Sequence, residues 1–205
     1  MIELLPALML FTLTMTITPG PNNMMIMTSG LNFGVRRSLP HFLGICTGFP
    51  VMVLLVGMGL GAVLKQYPMA FEAIRVGGLV YLLFLAFKMA TTVPNLEQRH
   101  GTQSQPLTYW QAVLFQWLNP KAWVMATGAL AAYTSATETL NWQVAVIALT
   151  FSAVAFPCVG LWLYFGSRLT HFLKQANHIR WFNRIMAMLL VLAVVWPMVD
   201  HWHGL

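Results

Sequence analysis

The sequence predicts an all-α membrane protein, and three observations carry that prediction: its apolar content, the length of its apolar runs and the one-sided placement of its basic residues. Of the 205 residues, 58% are hydrophobic and 8% are charged, and the mean hydropathy is +0.68. A soluble domain averages about 45–50% apolar and about 25% charged residues. A 23.0 kDa chain keeps too much surface exposed to hide that excess from water. Disorder is excluded as well, since it needs low hydrophobicity and high net charge. The lipid bilayer is the solvent that remains. At about 20 residues per crossing, the chain has room for at most about eight spans and a negligible extramembrane part, so function has to sit inside the membrane.

Six apolar runs can be marked. They cover about 4–31, 39–64, 69–90, 109–133, 142–165 and 185–199. The first is interrupted at Thr18-Pro19-Gly20-Pro21-Asn22-Asn23 and the fourth at Asn119-Pro120-Lys121. None alternates apolar and polar residues over the roughly 10-residue length of a barrel strand, so helix is the assignment for each. Trp110, Trp142, Trp181 and Trp202, with Tyr67, Tyr109 and Tyr133, sit near the ends of runs, where amphipathic rings favour the headgroup level. The N-terminus lacks a basic region and a small-residue cleavage site, and it reads as a mature first helix.

Six crossings place alternate loops on opposite sides. One side receives Arg36, Arg37, Lys88, Arg99, Arg168, Lys174, Arg180 and Arg184, and the other receives Lys65 with Glu3, Glu138 and Asp200. Basic residues mark the cytoplasmic side, so both termini are expected in the periplasm. The formal charge of +6 therefore reports membrane orientation. The basic residues are scattered in ones and twos, which does not suit a nucleic-acid partner.

The interruptions recur at half the chain length. Pro19 and Pro21 precede Pro120 by 101 and 99 residues, and Pro50 precedes Pro157 by 107. A cut near residue 100 leaves three spans in each half, and an odd number forces the halves into opposite orientations, as in an inverted repeat. The expectation is one transporter domain over residues 1–205, with halves of about 1–95 and 105–205 and broken helices 1 and 4.

Those breaks are the candidate substrate site: Pro19, Gly20, Pro21, Asn22, Asn23, Asn119, Pro120 and Lys121. Prolines remove backbone donors and disfavour helix before each ring, and carbonyls freed at membrane depth must be satisfied by protein or cavity water. Asn22 and Asn23 stand where a second half-helix would start, an end that suits a carboxylate. The alternative is a kink filled by a neighbouring helix. Lysine inside a span costs about 2.5–3.5 kcal/mol on insertion scales, so Lys121 needs a partner. That partner is either a substrate carboxylate or a carbonyl freed by a break.

Glu72 and Arg75 lie three apart on one helix face and form a candidate charge pair, with Glu72 alternatively a proton acceptor. His41 is the other candidate for proton coupling, set against a simple interfacial hydrogen bond. Cys46 and Cys158 both fall in apolar runs and give no disulfide framework. His201 and His203 lack the partners of a metal site. Glycine pairs such as Gly30 and Gly34, Gly44 and Gly48, and Gly57 and Gly61 point to close helix packing. No metal and no cofactor is expected. An enzyme needs a general base or a metal, and a cation exporter needs acids, His or thiolates along its route. A neutral-to-positive interior favours a solute with a carboxylate and little net positive charge.

Thr18-Pro19-Gly20-Pro21-Asn22-Asn23, followed by Gly30, Gly34, Arg36, Gly44 and Gly48, resembles the opening signature of the LysE/RhtB family of bacterial amino-acid exporters. Gly77-Gly78-Leu79-Val80-Tyr81-Leu82 through Lys88 is similar to its third-span pattern, and Phe115-Gln116-Trp117-Leu118-Asn119-Pro120-Lys121-Ala122 to its fourth-span motif. The texture of these two spans is most similar to the cysteine and O-acetylserine exporter branch. The resemblance implies six transmembrane helices in the inner membrane. It also implies proton-coupled efflux of amino acids or close derivatives, and the neutral-to-positive interior narrows the expectation to small, mostly neutral ones. The glycine faces serve packing within and between subunits alike, so they are compatible with a homo-oligomer. A metal-ion exporter of related fold and an intramembrane enzyme acting on a small metabolite or lipid are the alternatives.

Overall fold

The computed structural model describes residues 2–61, 66–92, 105–135, 139–173 and 175–203, without the side chains of 2, 68, 70, 71, 75 and 194–203. Arg75's side chain, and Lys65, Arg99, Glu138, Lys174, Asp200, His201 and His203 in whole or in side chain, lie outside that description.

Every regular element among the described residues is helical. A short 3-10 turn leads into α1 (Leu5–Ile17), and after the Thr18-Pro19-Gly20 break α2 runs over Pro21–Leu55 and into a π-helical turn, Val56–Leu60. Then follow α3 (Pro68–Ala90), α4 (Tyr109–Leu118), α5 (Pro120–Tyr133), α6 (Leu140–Leu169) and α7 (Ala176–His203). Among the described residues, three stretches are long and apolar enough to cross a membrane: Pro21–Leu60, Glu72–Ala90 and Leu140–Leu169.

The 35-residue α2 is a hairpin of two helical arms. Gly34 has φ 76° and ψ 172°, a left-handed backbone that glycine adopts without a Cβ penalty. Ser29 Oγ and Ser38 Oγ are 2.8 Å apart across it, whereas residues nine apart in a straight helix are separated by about 14 Å. Ile26 and Ile45 likewise meet in one buried cluster. The packing expected of the Gly30 and Gly34 pair is thus divided: Gly30 packs and Gly34 turns the chain.

Close packing is real elsewhere. α2 makes its most extensive contact with α6, where a methyl on Gly30 would collide with the Leu163 carbonyl and one on Gly166 with the Met27 carbonyl. A Cβ on Gly44 would stand 2.5 Å from the Tyr109 carbonyl oxygen, and one on Gly48 2.8 Å from Val113 Cα, so both lie against α4. Small residues let helix backbones approach in this way where lipid supplies no hydrophobic drive.

The termini of the elements follow local chemistry. Thr108 caps α4 by accepting from Gln111 N–H at 3.3 Å, while Gln111 Oε1 accepts from Thr108 N–H at 3.0 Å, a reciprocal capping box. α7 begins at Ala176, earlier than the apolar run starting near 185, because its first turns are polar. Arg184 stacks there on Trp181 at 5.6 Å, as Arg37 does on Phe33 at 5.5 Å and Arg168 on Tyr164 at 5.0 Å. Such pairs suit an interface, where an aromatic face meets a hydrated cation. Cys46 and Cys158 are buried free thiols.

Candidate functional site

Both breaks fall where the prolines dictate. α1 stops at Ile17 and α2 starts with Pro21 in its first turn; α4 stops at Leu118 and α5 starts with Pro120. Proline suits a first helical position because its missing N–H would have no helical partner there. Asn119 serves both ends of the second break. It ends α4, and its Oδ1 accepts from Lys121 N–H at 3.1 Å to cap α5.

Breaking α1 strips four consecutive carbonyls of helical donors, and side chains from three other elements replace them. Asn23 Nδ2 donates to Thr16 O at 2.8 Å and to Thr18 O at 2.9 Å. Trp162 Nε1 of α6 donates to Ile17 O at 3.0 Å. Lys121 Nζ of α5 donates to Thr18 O at 2.9 Å, to Thr18 Oγ1 at 2.8 Å and to Pro19 O at 3.3 Å. This satisfies the backbone demand at membrane depth. It also ties the two breaks together through one cation. Gly20 is extended at φ −177°, and what requires glycine there is space: a Cβ would stand 2.7 Å from Lys121 Cδ.

Asn22 turns the other way. Its amide and that of Gln116 exchange hydrogen bonds, Asn22 Nδ2 to Gln116 Oε1 at 2.8 Å and Gln116 Nε2 to Asn22 Oδ1 at 3.2 Å. Gln116 Nε2 also donates to Ala112 O at 2.9 Å.

These residues line a small cleft of about 40 Å³. Thr16, Gly20, Asn22, Asn23, Asn119 and Lys121 form its polar wall, and Ile45, Phe49, Met125, Ala155 and Val159 its apolar one. Two half-helices, α2 and α5, begin at this cleft, and the N-terminal end of a helix carries partial positive charge and unpaired N–H groups. With the Lys121 ammonium they make one electropositive pole. Thr16 Oγ1 is buried without a hydrogen-bond partner in the same wall. No acidic side chain lines the cleft among the described residues.

Of the residues singled out from sequence, Gly20, Asn22, Asn23, Asn119 and Lys121 meet at this cleft. Pro19 and Pro21 flank its extended segment, and Pro120 opens the facing half-helix. Glu72 is exposed on α3 and does not line the cleft. His41 is buried on the second arm of α2 and lines a different cleft, with neither ring nitrogen hydrogen-bonded. Among the described residues no group of three or more His, Cys, Asp or Glu is placed to hold a metal ion.

Thr16, Gln116 and Trp162 complete the site without a distinct mark in the sequence. Gln116 stands within the fourth-run motif, but nothing there says that it pairs with Asn22. Trp162 is one of eight tryptophans, and its role depends on α6 crossing the end of α1.

The family model described as LysE type translocator matches residues 13–196. The chain belongs to the LysE type translocator family. Similar proteins include the cysteine/O-acetylserine efflux proteins of Escherichia coli strain K12 and Shigella sonnei strain Ss046. Each is 30% identical to this translocator over 194 residues, covering 94% of its chain and 96% of the relative. No solved structure matches it. Its apolar helices and its family make this translocator a multi-pass inner-membrane protein.

Proposed function

We propose that this translocator exports a small, mostly neutral amino acid or close derivative, of the cysteine and O-acetylserine class, across the inner membrane. The observation that carries the reading is the convergence of two half-helix starts and Lys121 on one cleft. The relatives named for cysteine and O-acetylserine efflux support the substrate class. The absence of an acidic side chain among the described lining residues disfavours a cationic side chain on the substrate.

In the mechanism, the substrate carboxylate takes the place of the break carbonyls on Lys121 Nζ, which frees Pro19 O to rearrange. Asn23 keeps its hold on Thr16 O and Thr18 O, so the α1–α2 break stays satisfied while Lys121 changes partners. The uncharged side chain lies against Ile45, Phe49 and Met125. Separation of the Asn22–Gln116 pair opens the cleft toward the basic loops, and rocking of two halves then exposes it to the opposite side.

The proposed frame is a single domain of six crossings in two inverted halves, about 1–95 and 105–205, with both termini in the periplasm. In this frame α1 continues through the first arm of α2 as one broken crossing, and α4 with α5 forms another. The half-helices of 10–14 residues are about 15–21 Å long and could not cross a 30 Å core singly. Export draws on the proton gradient, with His41 and Glu72 as the proton-carrying candidates. Overexpression with profiling of extracellular amino acids tests the function: cysteine or O-acetylserine should accumulate outside. An unchanged extracellular profile, with the protein present in the membrane, would overturn it.

A further inference from the structure

A second, more open cleft of about 60 Å³ lies between the turn of the α2 hairpin, the end of α3 and the 105–107 segment. It lies at the end of the molecule that carries Arg36, Arg37 and Lys88, and it is lined by Thr28, Asn32, His41 and Lys88 with Met25 and Leu85. Its walls are largely satisfied. Asn32 and Asn183 exchange amide bonds at 2.9 and 3.1 Å, Asn32 Nδ2 also donates to Thr28 O at 2.8 Å, and Ser29 and Ser38 bond to each other.

Three polar atoms in this wall are the exception. Thr28 Oγ1 and both His41 ring nitrogens have no hydrogen-bond partner, although Thr28 is 5% and His41 2% exposed. Buried polar groups are otherwise paired almost without exception, and an unmade bond at such a site is costly. Three together in one cleft that Lys88 also lines describe a site whose missing partner is a small polar solute. A hydroxyl and a neutral imidazole offer donors and acceptors, and Lys88 offers a cation. No acid stands among the described lining residues. Thr28 is six residues from Asn22 on the same helical arm, about 9 Å along its axis. The two clefts are thus neighbours along this arm, with Asn22 on the wall of the first and Met25 and Thr28 on the wall of the second.

We propose that this cleft is a loading site, which takes the carboxylate-bearing solute on the basic-loop side before it passes to Lys121, with Thr28 and His41 making its hydrogen bonds and Lys88 facing its carboxylate. The proposal rests on the export reading. The test is initial-rate uptake of labelled O-acetylserine into inside-out vesicles, which present the basic-loop side to the medium. It compares wild type, Thr28→Val and His41→Phe. Thr28→Val keeps the side-chain shape and removes a hydroxyl that has no protein partner, so the purified variant should melt no lower than wild type. Its KM should rise about tenfold, the worth of one good hydrogen bond, with a much smaller change in kcat. A folded His41→Phe should show the same rise in KM. If His41→Phe does not fold, Thr28→Val alone decides. An unchanged KM in Thr28→Val beside active wild type, or a fall in kcat alone, overturns the loading site and leaves export standing. No uptake by folded wild type overturns the export reading, and the loading site with it.

Discussion

Replacing Lys121 by Met keeps an unbranched side chain and removes the ammonium, and the structure separates the consequence for folding from that for transport. Each bond from a charged donor contributes about 1.5–3 kcal/mol. Two of the three acceptors are not left bare. Thr18 O keeps Asn23 at 2.9 Å, and Thr18 Oγ1 keeps its own bond to Met15 O at 3.0 Å. Pro19 O loses its donor, at no more than about 1–3 kcal/mol because the residue is exposed. Against this, removing a cation from membrane depth returns about 2.5–3.5 kcal/mol. The terms oppose, and the variant should lose no more than about 0.5 kcal/mol of folded stability. Nothing offsets the lost substrate contact. At about 2.7 kcal/mol for a charge-assisted bond, kcat/KM should fall about 100-fold. The assay is O-acetylserine uptake into inside-out vesicles at matched protein levels, beside melting of the purified variant. Arginine should not rescue, because Lys121 Cδ already fills the space where a Gly20 Cβ would stand. Uptake within threefold of wild type by a folded variant would refute the reasoning.

Further outcomes follow from the packing and the break. Gly166→Val should destabilise the protein by about 1–3 kcal/mol, read as a lower melting temperature, because its side chain must displace the Met27 backbone. Trp162→Phe removes the donor to Ile17 O and should cost about 1–3 kcal/mol, with faster hydrogen exchange at the end of α1 as the local readout. Asn32→Leu and Asn183→Leu should each destabilise by about 1–3 kcal/mol, and the double variant by clearly less than their sum, since both single changes remove the same reciprocal amide pair. Cysteines introduced beside Arg36 and Arg168 should be labelled by a membrane-impermeant thiol reagent in inside-out vesicles and protected in intact cells.

The breaks were legible because proline and asparagine act on the backbone within a turn or two, wherever the rest of the chain goes. Pro21, Asn119 and Pro120 end and start helices by their own geometry, and Lys121's need for a partner follows from its depth alone. The partner does not. Sequence leaves the freed carbonyls and a substrate carboxylate as alternatives, and the structure shows the carbonyls of Thr18 and Pro19 in place. Glycine was legible only as a class. Gly30 and Gly34 carry the same signal, yet one admits a neighbouring helix and the other turns the chain, a difference set by φ and by the position of α6. Gln116 and Trp162 were not legible, because each acquires its role from an element far along the chain. The start of α7 at Ala176 was missed for another reason: an apolar run marks the hydrocarbon core, and a helix continues past it into the headgroups.

Recognition of a carboxylate by two half-helix starts and one lysine is tested most directly by competition. Labelled O-acetylserine uptake into inside-out vesicles should be inhibited by unlabelled cysteine and left untouched by cysteamine, which is cysteine without its carboxylate. Equal inhibition by the two would contradict the account, because the electropositive pole at Lys121 would then contribute nothing to binding.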